Sequence, residues 1–391
     1  MNVKRTELIV VLGALTAFAP LSIDMYLPAL PTLEKVFVTD PASVQVTLAV
    51  FFLGFALGQT FFGPILDRFG RKPPLYVSLT IYILASAGCA MAPSIEALAV
   101  LRFIQAVGAC AGVVSSRAMV RDLFEPKEMA RVFSALMLVM GVAPILAPLI
   151  GGYVMAAFGW RAIFWTLALF GVFCLVAMSL RLPESHHAAA RKPLHPGAIL
   201  RGYAGLLIHR DYICYALTGG FPMAGMFAYI AGSPFVFIEL YGVAPEDYGW
   251  FFGANALGFV AVAQVNARLV RRFEMARILR AANAVQTVFG ILLVGLALTG
   301  AGGLFGLAAA LFGFIACIGL ILPNASALAM APHGERAGSA AALLGTLQFA
   351  LAAIAAMAVG AIHDASALPM ASIIAICGAL GTLASRLTKT P

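Results

Sequence analysis

Two stretches of the 391-residue chain decide its fold: FFLGFALGQTFFGPILDRFGRK, residues 51–72, and FFGANALGFVAVAQVNARLVRR, residues 251–272. They lie 200 residues apart in one register. Phe51/Phe251, Phe52/Phe252, Leu57/Leu257, Gly58/Gly258, Arg68/Arg268 and Arg71/Arg271 coincide without a gap, and Lys72/Arg272 keeps its charge. Phe and Leu identities are common in apolar segments, so the glycine and arginine matches at fixed spacing carry the comparison. Each stretch is an apolar run closed by basic residues. The chain reads as an internal duplication.

Composition says what is duplicated. The chain is 62% hydrophobic and 11% charged, with a mean hydropathy of +0.97. Soluble domains are roughly 45–50% apolar and about 25% charged. Apolar runs of about 20 residues, the length a bilayer core of about 30 Å demands, recur along the whole chain. We place them at 8–28, 44–66, 74–92, 97–117, 131–153, 160–181, 211–232, 247–267, 276–297, 302–325, 337–362 and 367–386. They are apolar all round, as lipid-embedded helices are, and too long for barrel strands. The expected fold class is an all-α polytopic membrane protein with 12 transmembrane helices in two six-helix bundles. The halves would be 1–181 and 211–391, joined by a cytoplasmic linker at 182–210. Lys4 and Arg5 before an apolar run mimic a signal peptide, but no small-x-small cleavage site follows, so a retained first span is expected.

Lys and Arg set the orientation. Alternate loops hold Arg68, Arg71, Lys72; Arg121, Lys127, Arg131; Arg191, Lys192, Arg201, Arg210; Arg268, Arg271, Arg272; Arg336, Arg386 and Lys389. The opposite loops hold Lys35 and Arg161 among Glu34, Asp40, Glu96, Glu239, Glu246, Asp247 and Asp364. Both termini are expected on the cytoplasmic side. The net charge of +8 follows this loop topology rather than one basic face, which excludes a nucleic-acid partner; the expected partner surface is the lipid bilayer. The six cysteines, Cys89, Cys110, Cys174, Cys214, Cys317 and Cys377, lie apart in apolar segments and read as packed thiols. His186, His187 and His195 fall in the polar linker without supporting ligand spacing, so no metal is expected.

Asp24 is the one acid well inside an apolar span. A carboxylate in lipid is costly when charged and is rarely present without a use. A group that lipid drives toward its neutral, protonated form is suited to carrying protons. Arg102 lies within the fourth span, with Gln105 a turn further on. Asp24 stands about 24 Å along an outward-running helix and Arg102 about 8 Å below the outer boundary at 1.5 Å per residue, so both share the outer half. An unpaired buried Arg is costly. Asp24 is its expected partner, directly, through water or through Gln105.

The loop GPILDRFGRKPPL, Gly63 to Leu75, sets Asp67 among Arg68, Arg71 and Lys72, with Gly63 and Gly70 for close packing and turn geometry. It resembles the cytoplasmic signature of the major facilitator superfamily, a latch on helix ends that breaks as the halves rock. In the second copy Ala267 stands opposite Asp67, so that half of the latch is degenerate. LAVLRFIQAVGACAG, from Leu98, resembles the superfamily's buried-arginine motif. GVAPILAPLIGGYV, Gly141 to Val154, resembles the antiporter motif of its exporters, through Gly141, Pro144, Pro148, Gly151 and Gly152. Its small residues allow close helix approach and its prolines kink the span. With SIDMYLPALP, Ser22 to Pro31, and AGSAAALLGTLQF, Ala337 to Phe349, the chain resembles the Bcr/CflA subfamily of drug:proton antiporters, named for bicyclomycin and chloramphenicol resistance.

That resemblance implies a monomeric inner-membrane exporter of small antibiotics. It implies drugs and protons as partners, and the proton gradient in place of any cofactor. It places proton exchange at Asp24, with Arg102 beside it. Some related exporters carry a second acid two turns earlier, near where this chain has Thr16. Tyr26, Gln105, Met223, Met226, Phe227, Tyr229, Asn324 and Gln348 are the expected cavity contacts, Met and aromatic groups making an adaptable wall. No triad, metal cluster or phosphate-binding loop points to an enzyme. The alternative is a proton-coupled symporter, or an exporter of a cellular metabolite.

Overall fold

The computed structural model describes residues 5–186, 196–362 and 364–388. Lys4, His187, Arg191, Lys192, His195 and Lys389 lie outside them. Among the described residues, twelve helices are long and apolar enough to cross a membrane. In the first half they are α1 (Arg5–Phe37), α2 (Pro41–Phe69), α3 (Lys72–Ala90), α4 (Ile95–Leu123), α5 (Arg131–Phe158) and α6 (Trp160–Arg181). In the second they are α7 (Arg210–Leu240), α8 (Pro245–Leu269), α9 (Met275–Thr299), α10 (Gly303–His333), α11 (Gly338–Ala361) and α12 (Leu368–Leu387). There is no strand among the described residues. Without water, every backbone group must bond within its own segment, which leaves helices as the form such sequences adopt.

The duplication is visible in the packing. α2 packs on α4 as α8 packs on α10, α3 on α4 and α6 as α9 on α10 and α12. The repeated glycines serve the same crossing: a Cβ on Gly58 would stand 2.7 Å from Cys110 of α4, and one on Gly258 2.6 Å from Phe312 of α10. The halves meet where α2 packs on α11 and α5 on α8.

The 182–210 segment departs from a simple solvated linker. It contains a helix, Pro196–Ile208. Tyr203 and Leu206 are buried, and the Tyr203 hydroxyl donates to the Thr60 carbonyl of α2 at 3.0 Å. This helix thus covers the edge where α2 meets α11.

α1 is the least regular span, because its prolines remove backbone donors. Pro28 cannot donate to the Asp24 carbonyl four residues back, and the α-helical piece Phe18–Asp24 ends there. A 3₁₀ turn over Leu27–Ala29 and a last helix, Leu30–Phe37, follow. Asp24 therefore stands at a helix break, a consequence of PALP.

The α2–α3 turn is a staple within the first half. Gly70 has φ +90°, a conformation side-chain-bearing residues rarely adopt. The turn lets Arg71 donate to Asp67 Oδ1 at 2.7 Å and to Asp122 Oδ2, at the end of α4, at 2.9 Å. Glu184, just beyond α6, accepts from the backbone N–H groups of Arg71 and Lys72 at 2.9 and 3.0 Å, and Lys72 Nζ donates to the Leu182 carbonyl. Burial disfavours the Arg71 charge, but the bonds to Asp122 and Asp67 outweigh it and hold its pKa above the usual value. Arg68 is exposed. The close packing expected at Gly63 is absent, since nothing lies within 4 Å of where its Cβ would be. Replacing Arg71 with Gln should cost about 2 kcal/mol, the scale of losing charge-assisted bonds to two carboxylates. Unfolding of the purified protein in detergent, followed by tryptophan fluorescence, measures it.

Candidate functional site

A cavity of about 230 Å³ lies between the halves, walled by α1, α5, α7, α8, α10 and α11. Its surface is mostly apolar: Pro20 and Ile23 from α1, Met140 and Pro144 from α5, Met223, Met226 and Phe227 from α7, Phe252 and Phe259 from α8, Ile318 from α10 and Phe349 from α11. Polar groups are few. Among the described residues, Asp24 is the only acid in the wall. Tyr229 and Asn255 are the others, joined by a bond from Asn255 Nδ2 to the Tyr229 hydroxyl at 2.9 Å. Tyr248, whose hydroxyl shares a 2.8 Å bond with Ser233, and Tyr229 both lie within electrostatic range of Asp24. An apolar chamber with a few converging polar groups is the usual form of a small-molecule site.

The expected Asp24–Arg102 pair is not formed. Among the described residues no ion pair or hydrogen bond reaches the Asp24 carboxylate. Arg102 is fully buried in the first half. It donates from Nη1 to the Ser22 carbonyl at 3.0 Å and to Gln105 Oε1 at 2.6 Å. Its guanidinium lies between the rings of Phe51, at 4.3 Å, and Tyr26, at 4.5 Å, a double cation–π contact. Arg102 meets α1 at Ser22, two residues from Asp24, but Asp24 points another way. Ser22 and Asp24 are about 200° apart around a helix, so α1 turns one toward Arg102 and the other toward the cavity.

A hydrogen-bonded network completes the Arg102 site. Gln105 Nε2 donates to Ser86 Oγ at 2.8 Å, Ser86 donates to the Tyr82 carbonyl, and the Tyr82 hydroxyl shares a 2.8 Å bond with Ser22 Oγ. The Tyr26 hydroxyl shares a 2.7 Å bond with Thr47 Oγ1. Tyr26 and Gln105 are thus parts of the arginine network, not cavity contacts, a correction to the sequence reading. Asn324 is likewise occupied elsewhere, donating to Asn266 Oδ1 at 2.7 Å and to the Leu320 carbonyl. Gln348 is buried outside the cavity lining, and Phe349, rotated by one residue, faces it instead. Met223, Met226, Phe227 and Tyr229 stand in the wall as expected. Asn255 was missed; an asparagine inside the apolar eighth span was the available signal.

The glycine–proline segment of α5 closes the end of the cavity that carries the α1–α2 and α7–α8 turns, called distal here. A Cβ on Gly151 would fall 2.2 Å from the Met25 carbonyl oxygen, and one on Gly152 2.6 Å from that of Pro245. Both halves' backbones therefore rest directly on α5. Gly141, which would meet Val260 at 3.1 Å, and Pro144 reach the cavity wall. Pro148 sits within the helix between these contacts, and Ala147 beside it is fully buried. Lys35 of α1 and Glu239 of α7 form an ion pair across the same end at 3.3 Å. Gly151→Ala should disfavour this closure by about 1–3 kcal/mol, the cost of overpacking. Spin labels at Val36→Cys and Leu240→Cys, exposed positions near the α1 and α7 ends, should then report a longer distance by pulsed electron resonance.

The sequence profile of the Major Facilitator Superfamily matches residues 12–357. A Bacillus subtilis (strain 168) protein described as an uncharacterized MFS-type transporter, YdgK, is 36% identical over 383 residues, spanning 97% of this chain and 95% of its own. A bicyclomycin resistance protein homolog of Haemophilus influenzae is 32% identical over 386 residues, spanning 98% and 97%. A chloramphenicol resistance protein of Pseudomonas aeruginosa is 30% identical over 332 residues, spanning 84% and 76%. Among solved structures, a D-xylose-proton symporter superposes with a TM-score of 0.76 over 98% of this chain and 97% of that one, at 14% identity. At that identity the likeness concerns the fold.

Proposed function

The chain belongs to the major facilitator superfamily, and from that premise we propose that it exports small antibiotics of the chloramphenicol or bicyclomycin type in exchange for protons. It is a multi-pass membrane transporter rather than an enzyme. The location proposed is the bacterial inner membrane, with both termini cytoplasmic, because Lys and Arg gather on the loops of that side.

One observation carries the reading: among the described residues, Asp24 is the only acid in the wall of the central cavity, and it has no cationic partner there. A bare carboxylate against this apolar surface lacks the bonds that would compensate its charge. It also stands at the C-terminal end of the piece Phe18–Asp24, where the helix dipole is unfavourable to an anion. The protonated acid is the form the distally closed chamber accommodates. With the chamber open to the outside, drug leaves and a proton binds Asp24. With it open to the cytoplasm, the proton leaves and drug enters. Drug and proton compete for one place, and that competition couples them. The Tyr229–Asn255 pair and the Met and Phe wall orient the ligand. Arg102 acts on Asp24 through backbone position, gripping the Ser22 carbonyl two residues before it. No cofactor enters the cycle. One charge moving through 100 mV is worth about 2.3 kcal/mol, so roughly 200 mV and one proton sustain a drug gradient on the order of 10³.

Inverted vesicles energised with an acidic lumen provide the test. Chloramphenicol added to the wild-type protein should release lumenal protons. Asp24→Asn, a neutral isostere of the protonated acid, should abolish that release and, because proton and drug compete, weaken chloramphenicol binding by about tenfold, about 1.4 kcal/mol. Proton release that persists in the variant would exclude Asp24 as the coupling group. The opposite sign of flux would identify a symporter.

A further inference from the structure

A second cavity, of about 210 Å³, lies at the distal end, formed by the start of α2, the ends of α7 and α11 and the start of α12. It is separate from the central chamber and shares none of its lining residues. Gln45 of α2 forms part of its wall. That side chain is only 1% exposed, yet neither its Oε1 nor its Nε2 has a hydrogen-bond partner. A buried amide left unpaired is costly, since it gives up its bonds to water for nothing. The native packing keeps it there: a Cβ on Gly360 of α11 would stand 3.2 Å from Gln45 Oε1 and 3.0 Å from the Ala42 backbone. Apolar residues of the same size would fill the place at lower cost, so the amide points to something that enters and pairs with it.

The rest of the wall describes that partner. Glu239 contributes a carboxylate whose charge Lys35 already balances at 3.3 Å. The Ser366 hydroxyl is already engaged, donating to Asp364 Oδ1 at 2.6 Å and accepting from the Leu368 N–H at 3.1 Å, and Phe235, Val236 and Met370 supply an apolar surface. An amide that both donates and accepts, beside a neutralised acceptor and over an apolar floor, matches an uncharged molecule with an amide or hydroxyl head on an apolar body. We propose that the distal cavity is a second binding site for such molecules, a station beyond the closed α5 contacts on the way out. The class of ligand rests on the export reading; the site itself does not.

The test is protection from labelling. Ser366→Cys in a Cys214→Ser background leaves one accessible thiol, since the other cysteines are buried. Its reaction with a small methanethiosulfonate is timed in purified, lipid-reconstituted protein, with and without saturating chloramphenicol, an uncharged amide with two hydroxyls. The expected result is slowing of at least about fivefold, reflecting occupancy above 80% at more than four times Kd. Adding Gln45→Leu, which keeps the volume and removes the amide, should abolish the protection. Equal rates with and without chloramphenicol overturn the proposal, leaving a water-filled pocket. Protection that survives Gln45→Leu also overturns it, because the slowing then comes from the central chamber. Labelling needs no proton gradient, so the two readings fail separately. Lost protection with intact chloramphenicol efflux removes the distal site alone, and protection without efflux removes the export reading alone.

Discussion

The placement of the Arg102 guanidinium governs the geometry of the central chamber. A cation buried in the first half must find acceptors or aromatic faces, and here it finds the Ser22 carbonyl, Gln105, Phe51 and Tyr26. Those contacts hold α1 against α2 and α4 and fix how α1 is rotated about its axis. Once Ser22 faces inward, Asp24 has to face the other half. The acid is kept out of an ion pair by helix geometry, and so remains free to respond to whatever enters the chamber.

Proline and glycine complete that arrangement by subtraction. Pro28 removes the donor that would continue the helix past Asp24. Gly151 and Gly152 remove the side chains that would keep α5 from the Met25 and Pro245 backbones. The same contacts that close the distal end thus touch the residue next to Asp24. A change of protonation at Asp24 and a change of packing at α5 act on one short piece of α1. This gives the coupling between site and closure a contiguous physical route.

The Asp67–Arg71 cluster plays a different part. Its partners, Asp122, Glu184 and the Leu182 carbonyl, all belong to the first half or to the segment directly after it. It makes the basic end of that half one rigid body. The degenerate second copy, with Ala267 opposite Asp67, has no equivalent acid. The distal cavity and the central chamber divide along similar lines. One is held by polar groups already paired or neutralised, save the Gln45 amide, and the other by an unpaired acid in an apolar wall.

Local composition determined a good deal of this protein. Segment length and hydropathy specify twelve spans because lipid allows few backbone forms. The 200-residue repeat specifies two like halves, and the α2–α4 crossing has its counterpart in α8–α10. The family was legible in Asp67, Gly70 and Arg71, whose turn needs those residue types in that order. Position along a helix was legible too, since rise per residue is constant, and Arg102 does meet α1 within a turn of Asp24. Rotation was not. Whether Tyr26, Gln105, Asn324 and Gln348 face a cavity or a neighbour depends on about 100° per residue, which an all-round apolar span does not encode. Only packing between helices sent Tyr26 and Gln105 to Arg102, Asn324 to Asn266, and Asp24 to the chamber. The partners that decide such matters are remote in the chain, and their energies enter only when the halves come together.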